Sequence, residues 1–470
     1  MRLSPSTDTL RASRNRSRRR GIFAVLALAG VTFAGLGALR RGPLPAVEVN
    51  APLGALGRAT PVEVAVSAAG RGMSRVEIEL EQSGQRFPVA AEEFATPPGW
   101  KLWAAGTRQK SWNLTLGKDS LPQLAEGPVT LRVVATGAGA WLRPGLAATS
   151  EQVLPLRLTP PSLEVVSTQH YVTQGGSEVV VYRVGATSVR DGVEVGDWFF
   201  PGAPLPGGGE RDRFALFAVP WDVADSAATR LVAADEVGNR REVDFIDRFT
   251  PVALAHDDIE LDEKFLARVV PPILENTPSL TSKGNLLDDY LQINGDLRRA
   301  NADELRVLAA RSRPEFLWKA PFLALPGGQV MSAFADRRTY FYQGREVDRQ
   351  VHLGFDLASI AKADVPAANG GVVVLARWFG IYGNTVVVDH GYGLMSLYSH
   401  LSSIDVAEGD AVGRGSKLGR SGTTGLAGGD HLHFSFLLHG LPVRPVEWWD
   451  AHWLTDRLKR KLGDALPFAG

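Results

Sequence analysis

Apolar residues recur along this chain with three different spacings. The first is an unbroken run. Residues 21–39 carry no charge, and that length matches the ~20 residues needed to cross a bilayer while exceeding a signal-peptide core of ~7–15. Arg11, Arg14, Arg16, Arg18, Arg19 and Arg20 precede it, and Arg40 and Arg41 follow. The denser basic cluster marks residues 1–20 as a cytoplasmic segment and sends the remainder of the chain across the membrane. The run reads as an uncleaved signal anchor, because no small-x-small cleavage site stands out behind it.

The second spacing is two. Over residues 43–158, Val62, Val64 and Val66 alternate with small or polar residues. Val76, Ile78 and Leu80 alternate with Glu77, Glu79 and Glu81, and Val129, Leu131 and Val133 continue the pattern. Such alternation predicts antiparallel strands with one face buried. Gly- and Pro-rich turns between them predict an immunoglobulin-like β-sandwich. Thr159-Pro160-Pro161-Ser162 marks a boundary, because adjacent prolines favour a stiff connector. Residues 159–250 repeat the pattern as a second sandwich, with Val179 to Val184 and Phe214 to Val219 as strands. Neither sandwich gathers catalytic residue types, so both read as spacer or interaction modules.

Over residues 251–315 the spacing becomes helical, and this stretch is expected as a helical linker. Leu261, Phe265, Leu266 and Val269 form one stripe that Pro271-Pro272 should close. Leu286, Leu287, Tyr290 and Leu291 form a second. Asn301-Ala302-Asp303-Glu304 resembles a capping box that opens a third, with Leu305, Leu308 and Ala309. From 316 to 450 the period returns to two. Asn384 to Asp389 and Leu394 to His400 flank a Gly391-Tyr392-Gly393 hairpin turn. A Gly-rich loop, 421–429, leads into His431. It has no Walker lysine and opens onto a strand, so it is no phosphate loop. In the tail, 451–470, Leu454, Leu458 and Leu462 predict a docked helix. The fold class is therefore mainly β and multidomain.

Composition narrows the chemistry. At ~100–200 residues per domain, 470 residues allow two to four domains. The formal net charge is zero, which argues against a nucleic-acid partner. There is no cysteine, so disulfides, thiolate metal sites and cysteine nucleophiles are excluded. What remains is histidine and carboxylate. Strand alternation puts His352, Gly354 and Asp356 on one face and Leu353 and Phe355 on the other. It likewise puts His431, His433 and Ser435 opposite Leu432, Phe434 and Phe436. Gly354, lacking a side chain, leaves room for an ion between its neighbours. Two imidazoles and one carboxylate, His352, Asp356 and His433, make a catalytic zinc set with a fourth position open to water. An ion there lowers the pKa of its water to ~7. Hydrolysis also needs a base and a donor for the oxyanion and leaving amine, and His400 and His431 are available. His390, His439 and His452 read as ordinary structural histidines.

The ordered motifs carry a resemblance. They are His352-x-Gly354-x-Asp356, Tyr382-Gly383-Asn384, Val388-Asp389-His390-Gly391, Tyr398-x-His400-Leu401, Gly409-Asp410-x-Val412, Gly419-x-Ser421-Gly422-x-Thr424-Gly425 and His431-Leu432-His433-Phe434. Together, over about 330–450, they resemble a LytM/lysostaphin-type zinc metallopeptidase of the M23 family. The resemblance implies a small antiparallel β domain with a groove over its sheet. It implies cleavage of peptide bonds in peptidoglycan stems or cross-bridges, one Zn2+ held by His352, Asp356 and His433, and catalysis by His400 and His431. His431 is expected as general base and His400 as oxyanion or leaving-group partner, with the exchanged roles left open. With the apolar run as its anchor, the chain is expected to be a single-pass protein of the bacterial inner membrane, its bulk in the periplasm; the resemblance says nothing of the two sandwiches, which are expected to hold the peptidase away from the bilayer, toward the wall. An envelope regulatory protein is a further expected partner. Similar domains that lost their ligands activate cell-wall amidases without catalysis; the full ligand set here favours the enzyme. Two positions depart from the family pattern. Ser435 stands where glutamate is common, and Asp430 precedes His431, where its carboxylate is expected to raise the His431 pKa.

Overall fold

The uncharged run lies within one helix, Thr7–Leu39. Arg18–Leu39 is long and apolar enough to cross a membrane, and its Phe23, Leu28 and Val31 side chains face outward. The computed structural model describes residues 7–468, with side chains from residue 18 onward. Residues 1–6 of the basic segment, the side chains of Arg11, Arg14 and Arg16, and tail residues 469–470 lie outside the described residues.

The chain divides into two units, 1–160 with 236–239, and 161–235 with 240–470. In the first, Ala46–Asn50, Thr60–Ser67 and Gln109–Leu116 form a three-stranded sheet. Met73–Gln82, Gln85–Glu93, Gly127–Gly137 and Ala147–Leu156 form a four-stranded one. Val62, Val64 and Val66 from one sheet meet Val76, Ile78, Leu80, Val129, Leu131 and Val133 from the other in a single core. The alternation seen in the sequence is the alternation between that core and solvent.

The second unit holds another pair of four-stranded sheets, and these share one core with the C-terminal region. Strand Ser177–Val184 is buried along nearly its whole length. Leu454, Leu458 and Leu462 of the tail join Val179, Val181 and Phe217 in one cluster. Lys461 Nζ meets the buried Glu178 carboxylate at 2.7 Å. The second sandwich, expected as a separate spacer, is thus built into the same body as the region that follows it.

Residues 251–315 also differ from the expected helical linker. They begin with a strand, His256–Leu261, paired in parallel with Asp336–Tyr342, so Leu261 lies on a strand. Helix Glu263–Glu275 runs through Pro271 and Pro272 to a cap at Asn276. Each proline forfeits one helical hydrogen bond, and burial of Val269, Val270 and Ile273 holds the last turns in place. Leu286–Gln292 and Arg298–Ala309 are joined through a π turn, Ile293–Leu297. Asn301 therefore sits inside a helix and caps nothing there. Its Oδ1 accepts from the Ile381 N–H at 3.1 Å instead.

The C-terminal sheet runs in the order Gln329–Ser332, Phe355–Ala358, Leu432–Leu438, Leu394–Ser399, Asn384–Gly391, Gly371–Trp378, Ala411–Val412, with Leu441–Val443 beside Leu432–Leu438. Its central strands are buried on both faces. Leu305 and Ala309 of helix Arg298–Ala309 cover Leu375, Val387, Met395, Leu397 and Leu437, and the shared core covers Phe434, Phe436 and Leu438.

Candidate metal centre

Asp356 and His433 face each other across paired strands, and Ser399 flanks His433 on its other side. His352 ends a different strand, Arg345–His352, in the three-stranded sheet with His256–Leu261 and Asp336–Tyr342. The chain turns at Leu353–Gly354 and resumes as Phe355–Ala358. His352 and Asp356 therefore share no single strand, contrary to the alternation argument; the turn between two sheets converges them. Gly354 has its own reason. A Cβ there would lie 2.5 Å from Ser435 Oγ and 2.6 Å from the His433 ring, so the space serves that imidazole and not an ion.

The three side chains converge. His352 Nε2 lies 2.9 Å from His433 Nδ1 and 3.0 Å from Asp356 Oδ1, and His433 Nδ1 lies 2.9 Å from the same carboxylate oxygen. Their neighbours fix both tautomers. His352 Nδ1 is 2.9 Å from the Ala333 carbonyl, which can only accept, so Nδ1 carries the proton. Ser435 Oγ donates to the Leu353 carbonyl at 2.9 Å, and its lone pair takes the His433 Nε2–H at 3.0 Å. Two bare ring nitrogens and a carboxylate oxygen thus point at one place. Such a set repels itself without a cation, and imidazole with carboxylate suits a divalent metal ion. Arg338 Nη2, bonded to Ser332 Oγ at 2.7 Å, reaches Asp356 Oδ2 at 3.3 Å.

His400 and His431 stand beside this centre, their rings 4.9 Å apart. His400 Nδ1 donates to the Thr424 carbonyl at 2.7 Å and His431 Nδ1 to the Gly429 carbonyl at 2.8 Å. Each ring therefore keeps Nε2 for chemistry, and His431 Nε2 comes within 3.4 Å of Asp356 Oδ1. His400 adopts a left-handed backbone, φ 62°. A β-carbon tolerates that region poorly, and such strain gathers at functional positions.

Charge is sorted by burial and by Asp356. Burial alone would raise the Asp356 carboxyl, but its charge is favoured by any proton that His352, His431 or His433 takes up on the nitrogen facing it, which holds it well below the usual range. Burial pushes His433 down to about 4. Burial, with His431 and His433 nearby, keeps His400 neutral. Burial also opposes charge on His431, but the Asp356 carboxylate outweighs it and raises that imidazole. The expected direction holds, whereas its source is Asp356 and not Asp430. The Asp430 carboxylate is turned away, accepting from Ser421 Oγ at 2.6 Å and from the Lys362 N–H at 3.0 Å.

All five predicted residues line one cavity of about 120 Å³, together with Arg298, Arg338, Ile381, Tyr382, Leu426 and Gly428. The site-residue expectation lacked Tyr382, Arg338 and Arg298. Tyr382, whose ring centroid is 5.7 Å from that of His433, lay inside a quoted motif. The arginines come from a distant strand and helix, and no local pattern marked them. A wider groove of about 920 Å³, lined in part by Arg298, Arg338, Arg349 and Trp221, adjoins the cavity through the first two.

Residues 350–445 match Peptidase family M23. Peptidoglycan DD-endopeptidase ShyA of Vibrio cholerae is 32% identical over 166 residues, 35% of this chain and 36% of the relative. DD-carboxypeptidase/endopeptidase Mpg of Neisseria meningitidis serogroup B is 39% identical over 97 residues, 21% of this chain and 22% of the relative. The chain thus spans about a third and about a fifth of these relatives' lengths. The antimicrobial peptidase lysostaphin from Staphylococcus simulans overlays at 29% identity and TM-score 0.21, over 22% of this chain and 45% of its own. Within this chain, the segment that carries His352, Asp356, His400, His431 and His433 is a peptidase family M23 domain.

Proposed function

We propose that the protein is a zinc-dependent endopeptidase that hydrolyses peptide bonds in peptidoglycan stem peptides or cross-bridges. The apolar helix would hold it in the bacterial inner membrane with the M23 domain in the periplasm. The observation that carries the reading is the pair of pinned tautomers, His352 through Ala333 O and His433 through Ser435 Oγ, offering bare nitrogens beside Asp356 Oδ1. When bound, zinc supplies Lewis acidity that activates a water and polarises the scissile carbonyl.

The remaining work falls to side chains. His431 takes the water's proton on Nε2, and Asp356 beside it favours the resulting imidazolium. The charged ring then offers that proton to the leaving nitrogen as the C–N bond breaks. His400 is neutral, and its Nδ1–H is committed to Thr424 O. Its Nε2 can only accept, so His400 orients the attacking water, and protonated His431 is the side chain left to face the oxyanion. Arg338 Nη2, on the other oxygen of Asp356, aims the carboxylate.

The cavity of about 120 Å³ admits a water and a carbonyl group but not a stem peptide. The helical segment closes it. Arg298 lies on that segment, Asn301 holds the Ile381 backbone, and Arg268 donates to the Ala427 and Gly428 carbonyls at 3.2 and 2.9 Å. Substrate binding therefore requires these helices to move away from the Gly-rich loop.

The test is digestion of purified peptidoglycan by the full chain, read by muropeptide analysis. Loss of cross-linked peptides that is abolished by a chelator and by His433→Ala supports the reading. No cleavage by protein with stoichiometric bound metal, even after Arg268→Ala, contradicts it and favours a regulator of cell-wall amidases.

A further inference from the structure

Two loops of the first β unit, 97–106 and 138–145, present large apolar side chains to the outside. Trp100 is 74% exposed, Trp141 68%, Leu142 64% and Trp103 44%. In a water-soluble module these would be a costly patch. The loops touch each other, since a Cβ on Gly99 would lie 3.4 Å from the Trp141 ring. Their sequences, PPGWKLWAAG and AGAWLRPG, contain no acidic residue and add Lys101 and Arg143. Both side chains are exposed.

Both loops also meet the exit end of the apolar helix. The Leu142 N–H donates to the Ala38 carbonyl at 3.1 Å. Trp103 stacks on Phe33 with ring centroids 4.4 Å apart. Arg40 lies over the Trp103 ring at 5.4 Å and donates to the Trp103 carbonyl at 3.0 Å. Gly37 allows the approach, because a Cβ there would stand 2.8 Å from Leu102 Cβ. Phe33 is six residues before the helix end at Leu39, about 9 Å along the axis. Trp103 is therefore carried below the end of the apolar run. Indole rings favour that boundary between headgroups and acyl chains, and lysine and arginine favour the anionic headgroups beside it.

We propose that loops 97–106 and 138–145 are a lipid-docking surface, seated in the headgroup layer of the leaflet from which the helix emerges. The first β unit is then fixed on the bilayer and does not swing from a tether. This rests on the reading of the helix as membrane-spanning. The occupant is the bilayer because the helix that would place the loops there is itself in contact with them.

The chain has no cysteine, so single cysteines label uniquely. Trp100→Cys, Leu142→Cys and, as control, Val153→Cys are made in the full chain; Val153 is 66% exposed on strand Ala147–Leu156. Each is labelled with an environment-sensitive fluorophore and reconstituted in phosphatidylethanolamine/phosphatidylglycerol vesicles. The expected result is at least threefold stronger quenching by shallow nitroxide lipids at 100 and 142 than at 153, with the reverse order for aqueous iodide. Unsubstituted protein should show the same through quenching of its tryptophans by brominated lipid. Equal quenching at all three sites, in protein that resists carbonate extraction, overturns the docking while leaving the anchor intact. Shielding from both quenchers places protein on the surface and also overturns it. Release by carbonate overturns the anchor and the docking together.

Discussion

Ser435→Ala isolates the claim that a hydroxyl selects the metal-binding nitrogen of His433. Ser435 Oγ donates to Leu353 O at 2.9 Å, so the lone pair it turns to His433 Nε2 at 3.0 Å is oriented. Alanine leaves a buried ring N–H without an acceptor, at a cost of ~1–3 kcal/mol. It also frees the ring to carry its proton on Nδ1, the nitrogen that faces His352 and Asp356. Loss of an outer hydrogen-bond partner of a metal-binding histidine typically weakens the metal by ~10–100-fold, or ~1.4–2.8 kcal/mol at 1.4 kcal/mol per decade. Competition with a chromophoric zinc chelator measures this directly on full-length protein. Ser435→Ala should fall within that range and Ser435→Thr, which restores the hydroxyl, should stay near the unsubstituted protein. Alanine binding within twofold of the unsubstituted protein would refute the tautomer argument.

Other perturbations follow from the same geometry. Gly354→Ala places a methyl group 2.6 Å from the His433 ring; metal content should fall to near zero while circular dichroism keeps its β signature, and stoichiometric metal would contradict this. Arg268→Ala removes two hydrogen bonds from the Gly-rich loop. At ~1.5 kcal/mol for a charged donor, initial digestion of peptidoglycan should speed up to roughly tenfold, and an unchanged or slower rate would dismiss the helical closure. Glu447 is buried and pushed up to about 8 from an ordinary 4.5, facing Ser177 N, Arg444, Glu178 and Arg457. The folded carboxyl holds its proton more tightly than the unfolded one, so its contribution to stability is lost as pH rises between those values. Glu447→Gln cannot ionise, and its melting temperature should fall less from pH 5 to 9; parallel curves would refute the assignment.

The sequence made the period-2 regions readable because one face of each strand meets a core and the other meets water. Val76, Ile78 and Leu80 against Glu77, Glu79 and Glu81 are a local record of that division. The convergence of His352, Asp356 and His433 was legible for a different reason, since these residues sit in short motifs with fixed spacing. What escaped was decided by distant contacts. Pro271 and Pro272 suggested a helix end, and burial of Val269, Val270 and Ile273 overrode it. Asn301 looked like a cap because its Ile381 partner is 80 residues away. The second sandwich looked separable because nothing near Val179 announces Leu454 or Lys461. Arg298 and Arg338 escaped on the same ground: each reaches the cavity from an element whose local sequence records only its own fold.

The most direct test of the centre is anomalous diffraction at the zinc edge from crystals of metal-loaded protein. The account predicts a single strong peak in the M23 domain, coordinated by His352 Nε2, His433 Nδ1 and a carboxylate oxygen of Asp356, with His400 and His431 facing it and outside its ligand set. A peak bound through His433 Nε2, or located away from Asp356, would contradict it.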